Sequence, residues 1–232
     1  MIYVTGDTHG NFGRIRDFCT YNNTTKEDLL IILGDAGINY CQDISDCILK
    51  EAIEKMPIRL FCIHGNHEQR PYAISSYTEV DMFGGKVYAE PEYPSIIFAK
   101  DGEVYNLDGL DTLVCGGAYS VDKFYRLASG VKWFDNEQPS DDIKNAVRKI
   151  AKDMGRVDVV LTHTCPSKYI PTEMFLVGID QSAVDTSTEE FLQEIESALK
   201  YSRWFCGHYH TDKTIDKIEF LYKTIKPFGI GE

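Results

Sequence analysis

Five short clusters carry side chains able to bind metal or move protons. They are Gly6-Asp7-Thr8-His9-Gly10, Gly34-Asp35-Ala36-Gly37, Gly65-Asn66-His67-Glu68, Thr162-His163 and Gly207-His208-Tyr209-His210. Each follows an apolar run, and four of the five begin with glycine, which lets a backbone turn sharply and approach its neighbour closely. All six histidines (His9, His64, His67, His163, His208 and His210) fall in or beside these clusters. In an extended segment residues i and i+2 point to the same side, so Asp7-x-His9 and His208-x-His210 can each present two donors to one cavity. Carboxylate, amide-oxygen and imidazole donors without thiolate suit divalent Mn, Fe, Zn, Co or Ni. Seven candidate ligands exceed one tetrahedral site and suit two octahedral-like metals sharing a bridging carboxylate and a bridging solvent. A lone Asp or His at a strand end is more often an ordinary hydrogen-bonded loop residue. Five clusters at five strand ends are not accounted for that way.

The elements that must hold these clusters are legible as apolar runs. Ile2–Thr5, Leu29–Leu33 and Ile58–Ile63 read as strands buried on both faces. Between and after them lie helical stripes. Leu49, Ala52, Ile53 and Met56 form one. Ile143, Ala146, Val147, Ile150, Ala151 and Met154 form another, opened by Pro139-Ser140 and closed near Gly155. Ser187-x-x-Glu190 predicts a capping box before Phe191, Leu192, Ile195, Ala198 and Leu199. Residues 85–118 hold short strands broken by Gly, Pro and Asp, which predicts an antiparallel meander, a second sheet or the edge of the first. Strands return at Val157–Leu161, Trp204–Cys206 and Ile215–Tyr222, while Ile225–Glu232 reads as a loosely held end. The coarse picture is helix–sheet–sheet–helix, one domain over residues 1–232, with the chemistry at the carboxyl ends of strands.

The ordered set GDxH, GDxx, GNHE, H and GHxH resembles the calcineurin-like metallophosphoesterases, and the match runs from residue 6 to residue 210. The resemblance implies an α/β fold, a four-layer αββα sandwich of two mixed β-sheets flanked by helices. It implies two divalent metal ions at the loop ends, with Mn the leading expectation and Fe, Zn, Ni or Co the alternatives. Asp7, His9 and His210 would bind the first metal, Asp35 would bridge, and Asn66, His163 and His208 would bind the second. His67 would contact the phosphate and stabilise or protonate the leaving oxygen, with Asp35 or its neighbourhood orienting the ring. The implied activity is hydrolysis of a phosphate ester, monoester or diester, by a metal-bridging hydroxide acting in line with the leaving group. His67 and Asp35 are the expected catalytic pair.

The phosphoprotein phosphatase branch of that family carries a longer second block and an arginine before its GNHE. Here His64 stands before Gly65, while Arg70 does match that branch's GNHE-x-R pattern. Arg70 is therefore a candidate phosphate grip, and a Ser/Thr phosphoprotein phosphatase is the alternative activity. A non-catalytic metal-binding scaffold is the alternative from another class, and the intact ligand set argues against it. The segment 116–134 is the candidate specificity insert. In it Lys123 and Arg126 could meet a second phosphate or a carboxylate, and Tyr119, Tyr125, Trp133 or Phe134 could stack on a base. Packing of these aromatics at a sheet edge is the competing explanation. His64 reads as a packed or supporting residue rather than a ligand.

Charge and composition narrow the partners. Acidic residues outnumber basic ones 36 to 24, for a net charge of −12, which disfavours broad binding to nucleic acid or to an anionic membrane. A nucleotide or a nucleic-acid end stays open as a substrate, because bound metal can invert the local field. No apolar run approaches a membrane span, and Met1 leads straight into Ile2-Tyr3-Val4 without a signal peptide. Seven scattered cysteines without a C-x-x-C pair predict reduced thiols and a cytoplasmic location.

Overall fold

The computed structural model describes residues 1–175, 178 and 181–229. The chain runs β1 (Ile2–Thr5), α1 (Gly13–Asn22), β2 (Leu29–Ile32), α2 (Ile44–Glu54), β3 (Arg59–Cys62), β4 (Thr78–Met82), β5 (Gly85–Ala89), β6 (Ile96–Ala99), β7 (Glu103–Leu107) and β8 (Leu110–Cys115). It continues through α3 (Lys123–Ser129), α4 (Asp141–Met154), β9 (Val159–Thr162), α5 (Ser187–Ala198), β10 (Arg203–Cys206), β11 (Lys213–Ile215), β12 (Ile218–Phe220) and β13 (Lys226–Pro227).

Alternation along the strands builds the layers. In β2, Leu29 and Ile31 face one way with Leu33 after them, and Leu30 and Ile32 face the other. The first set meets Phe61 and Ile63 from and after β3, and across the gap Val114, Val159, Leu161 and Phe205 from β8, β9 and β10. This is the core between two sheets. The outer face of the first sheet takes Ile15 and Cys19 of α1 and Ile53 of α2. The outer face of the second takes Val147 and Ala151 of α4 and Phe191, Leu192 and Ile195 of α5. The result is a four-layer αββα sandwich, as the resemblance implies. Phe61 and Phe205 are fully buried in its middle layer, where truncation to alanine costs about 3–5 kcal/mol.

Both sheets are mixed. The first has the order β13-β1-β2-β3-β6-β5-β4, with β1, β2, β3 and β6 parallel and the outer strands antiparallel. The second has the order β11-β12-β10-β9-β8-β7, with β12, β10, β9 and β8 parallel. Parallel strands place their carboxyl ends together, and every one of the five clusters follows such an end.

Several expectations are refined or corrected here. Residues 85–118 do form the expected short strands, and they serve both sheets: β5 and β6 extend the first, and the hairpin β7–β8 edges the second. The expected Ile215–Tyr222 strand is broken by a turn: Ile215 ends β11, and Ile218–Phe220 is β12, the other arm of the hairpin. Helix α5 begins at Ser187 itself, with Thr186 as its N-cap residue, and the Oγ1 of Thr186 donates to Glu190 at 3.2 Å. The C-terminal segment is held through Gly229: β13 pairs with β1, and Phe228 is fully buried in the inner core. The last three residues lie outside the described set. By contrast α4 matches its sequence signals, with Ser140 accepting the N–H of Ile143 and Gly155 left-handed at its end.

Candidate metal centre

The loop after β1 carries Asp7 and His9, the loop after β2 carries Asp35, and the loop after β3 carries Asn66 and His67. The second sheet contributes His163 after β9, and His208 and His210 after β10. The rim where the two sheets meet therefore collects all eight side chains. Main-chain bonds tie the loops together: His9 N donates to Asp35 O at 2.8 Å, and Gly207 N to His163 O at 2.8 Å. Glu68 fastens two more, its carboxylate accepting Gly65 N and Gly37 N at 3.0 Å each. Burial pushes Glu68 up to about 8, aided by the charge of Asp35.

Close approach explains the glycines before the ligands. A Cβ on Gly65 would lie 2.0 Å from Oδ1 of Asp35, and one on Gly207 would lie 2.3 Å from Oδ1 of Asp7. Four of the candidate ligands themselves sit in the left-handed backbone region: His9 at φ 46°, Asp35 at 48°, His208 at 66° and His210 at 51°. For non-glycine residues this conformation is uncommon and costs about 1–3 kcal/mol each. The surrounding hydrogen bonds hold the strain, and the strain aims four side chains inward.

The donor atoms converge in two groups. Asp7, His9 and His210 form one, and Asp7, Asp35 and His163 form the other. In the first, Nε2 of His9 and Nε2 of His210 are 2.9 Å apart, and Oδ2 of Asp7 is 3.2 Å from the latter. This Oδ2 is buried and has no hydrogen-bond partner among the described residues. Its sister Oδ1 accepts the main-chain N–H of His208 at 3.0 Å. Burial pushes the Asp7 carboxyl up, but the neighbouring His210 ring and the charge of His163 bring it below the ordinary value.

The second group shows a sharper deficit of positive charge. Nδ1 of His163 donates to Leu33 O at 2.7 Å, which leaves Nε2 facing Oδ1 of Asn66 at 2.8 Å. Nδ1 of His208 approaches the same Asn66 oxygen at 3.1 Å, and Oδ2 of Asp35 lies 3.6 Å from Nε2 of His163. Asn66 is fixed in this orientation because its Nδ2 donates to Ser120 Oγ at 2.9 Å, and Ser120 is in turn bonded to Glu137. Each of these contacts needs a proton on the imidazole nitrogen or a cation between the partners. Without a cation the demand falls on His163: burial lowers it, yet Asp35 raises it to about 9. His208 is driven the other way, to about 3, by burial and by His163. Two donors each about 2.1 Å from one ion and at right angles lie about 3 Å apart, which matches these spacings. The residues therefore fit divalent cations. Oδ2 of Asp35 is 3.6 Å from His163 and 3.9 Å from Nδ1 of His9, so it reaches both groups, where a bridge would stand.

His67 stands beside this set. Its ring centre is 5.6 Å from that of His9. Asp35 does orient the residue, but through the main chain: the N–H of His67 donates to Oδ1 of Asp35 at 2.8 Å. Burial lowers the imidazole, against the pull of Asp35 and with the push of Arg126, so the neutral ring is favoured.

The remaining candidates fall elsewhere. Arg70 is only 3% exposed, ion-paired with Asp101, and its Nε donates to Asn136 O at 2.7 Å. It lines a separate small cavity with His64, so the expectation of a phosphate grip is replaced by a structural ion pair. His64 is buried, and neither ring nitrogen has a partner among the described residues. Lys123 lies over the Trp133 ring at 4.3 Å, away from the metal-ligand set. Arg126 is held by Asp122 at 2.8 Å and lines a cleft with His9 and His67, so it remains beside the site. Phe134 is buried against Tyr40, Tyr125 is exposed, and Tyr119 lines a cavity over Asp35. That cavity also brings in Asp122 and Glu189, which no sequence signal singled out. Glu189 shows in the sequence only as an acid in the first turn of a helix.

Comparison with known proteins gives structural matches and a family match. One solved structure superposes with a TM-score of 0.51 at 11% identity, covering 95% of this chain and 88% of its own. A phosphopantetheinyl hydrolase from Mycobacterium tuberculosis superposes at 0.45 with 13% identity, over 95% and 87%. No curated protein sequence gives a match. The family model of the calcineurin-like phosphoesterases matches residues 1–212, which hold all five clusters, and the chain belongs to that family.

Proposed function

We propose that this protein is a hydrolase of phosphate esters that works with two divalent cations, manganese foremost. Asp7, His9 and His210 would hold one cation and Asn66, His163 and His208 the other, with Asp35 between them. The observation that most supports the reading is the buried Oδ2 of Asp7, without a hydrogen-bond partner among the described residues, together with the two imidazole nitrogens gathered on Oδ1 of Asn66, a convergence of donor atoms that suits cations. Bound there, the cations would supply charge against the phosphoryl oxygens and an activated water at neutral pH.

The chain's own residues do the rest. Asp35 fixes the backbone of His67 with one oxygen while the other faces the histidines. His67 donates a hydrogen bond to the departing oxygen as the neutral ring and a proton as the imidazolium, general acid assistance being worth about 10²–10⁴-fold. Arg126, restrained by Asp122 and Tyr40, places a positive charge on the same side. Burial of Arg70 in its pair with Asp101 speaks against a phosphate grip there, and so favours a small organic ester over a phosphoprotein as substrate. Seven free cysteines, five of them buried, support a reducing, cytoplasmic setting. Among the described residues no helix is long and apolar enough to cross a membrane.

The test is hydrolysis of an aryl phosphomonoester and a bis-aryl phosphodiester by Mn²⁺-reconstituted protein, with Asp35→Asn as control. Turnover of either that the control abolishes supports the reading. Two bound metals per chain with neither ester hydrolysed would leave the non-catalytic scaffold in its place.

A further inference from the structure

A cavity of about 450 Å³ opens directly over Asp35, Asn66, His67, His208 and His210. Its size is that of a small-molecule site. The opposite wall is apolar, built from Val121 of the insert, Ile170 and Phe175 from the loop after β9, and Val184 before α5. Two carboxylates interrupt this wall. Glu189, in the first turn of α5, is 5% exposed; its Oε1 accepts Thr164 Oγ1 at 2.7 Å, and its Oε2 has no partner among the described residues. Asp122 binds Arg126 through Oδ2, and its Oδ1 is likewise buried without a partner among the described residues. No lysine or arginine lines the cavity among those residues: Lys123 is spent on Trp133, and Arg126 faces the other cleft.

Acceptor oxygens left unpaired beside an apolar cavity cost free energy, more so when charged. Asp122 is already paired with Arg126, so Glu189 is the carboxylate that no basic side chain in the lining offsets. We infer that this cavity receives the organic half of the phosphate ester, and that this half is apolar and bears a hydrogen-bond donor, neutral or positive, rather than a second anion. The inference rests on the phosphoesterase reading above and adds the substrate class. A second phosphate or a carboxylate on the leaving group is disfavoured here, so nucleoside polyphosphates and nucleic-acid ends are poor occupants. An amine, hydroxyl or amide N–H on a hydrocarbon or aromatic body fits.

The test is equilibrium binding, by calorimetry, of three non-hydrolysable probes to the Mn²⁺-loaded protein. They are para-(aminomethyl)benzylphosphonate, para-methylbenzylphosphonate and para-carboxybenzylphosphonate. The amine is expected to bind at least about 10-fold more tightly than the carboxylate, with the methyl compound between, the size set by a hydrogen bond to a charged group. Glu189→Gln and Asp122→Asn should each narrow that ratio. Equal or tighter binding of the carboxylate probe to the wild type overturns the inference, whatever the variants do. An unmoved ratio in both variants overturns the assignment to these two oxygens. Hydrolysis of phenyl phosphate, run alongside, reports on the other reading separately: the expected order of binding without turnover sinks the hydrolase and leaves the cavity's preference standing.

Discussion

Asp35 divides its carboxylate between two tasks: Oδ1 accepts the main-chain N–H of His67 at 2.8 Å, and Oδ2 faces His163 at 3.6 Å. Asp35→Asn separates the two. The amide oxygen can still accept the N–H, so the loop keeps its shape, while the charge needed to hold a cation pair is gone. Metal content and turnover should fall together, by more than the roughly 10–100-fold typical of an outer-shell partner. Elemental analysis and a rate assay on the same preparation check this; full metal occupancy in the variant would contradict it.

His67 gives the opposite pattern. Its ring neighbours His9 but belongs to neither donor group. His67→Ala should retain metal and lose about 10²–10⁴-fold in rate. The loss should be greatest for esters with poor leaving groups and least for nitrophenyl esters. Rates plotted against leaving-group pKa read the difference, and a slope equal to that of the wild type would dismiss the role.

Gly207 is predicted to be intolerant of even one methyl group. A Cβ there would meet Oδ1 of Asp7 at 2.3 Å and the carbonyl of Leu33 at 2.8 Å. Gly207→Ala should displace Asp7 and lower metal affinity, visible as a smaller metal-induced rise in melting temperature. Gly109→Ala is the comparison: nothing stands within 4 Å, so only its left-handed backbone is penalised, by about 1 kcal/mol. Its metal response should match that of the wild type.

Arg70 tests the correction made above. Its buried pair with Asp101 also positions the Gly116 N–H, which Asp101 accepts. Arg70→Met leaves Asp101 buried and unpaired, at a cost of about 3–5 kcal/mol. Denaturant unfolding should register this as a lower midpoint. A phosphate-gripping arginine would instead raise KM in a protein of unchanged stability.

Much of this architecture was legible because burial on both faces writes itself as uninterrupted apolar sequence. Leu29–Ile32 and Val159–Thr162 are buried at every position and were readable as strands. Edge strand β4 was not, since Thr78–Met82 alternates only between exposed and half-buried positions. Helix α3 buries no residue at all, so Lys123–Ser129 carries no stripe to read. The clusters around the candidate metal-ligand set were legible for a different reason: histidine is scarce, and all six fall in or beside the loops at strand ends. Arg70 was misread because its partners, Asp101 and the carbonyl of Asn136, lie 31 and 66 residues away. Glu189 and Asp122 were missed likewise, because an unpaired oxygen is a property of surroundings that local sequence does not display.

Asp7 and His210 lie 3.2 Å apart and stand at opposite ends of the chain. Contacts this distant in sequence require closure of a long loop and form late, after local hairpins and helices. The metal-ligand set thus completes itself only when β10 has docked beside β9 and the two sheets have closed over their shared core. A cation that binds only this finished arrangement stabilises the folded state by mass action and leaves partly folded chains untouched. Metal uptake at this set would then report completed folding, and a chain cut between β6 and β7, which parts β13 from β1 as well as one half of the set from the other, would lose it.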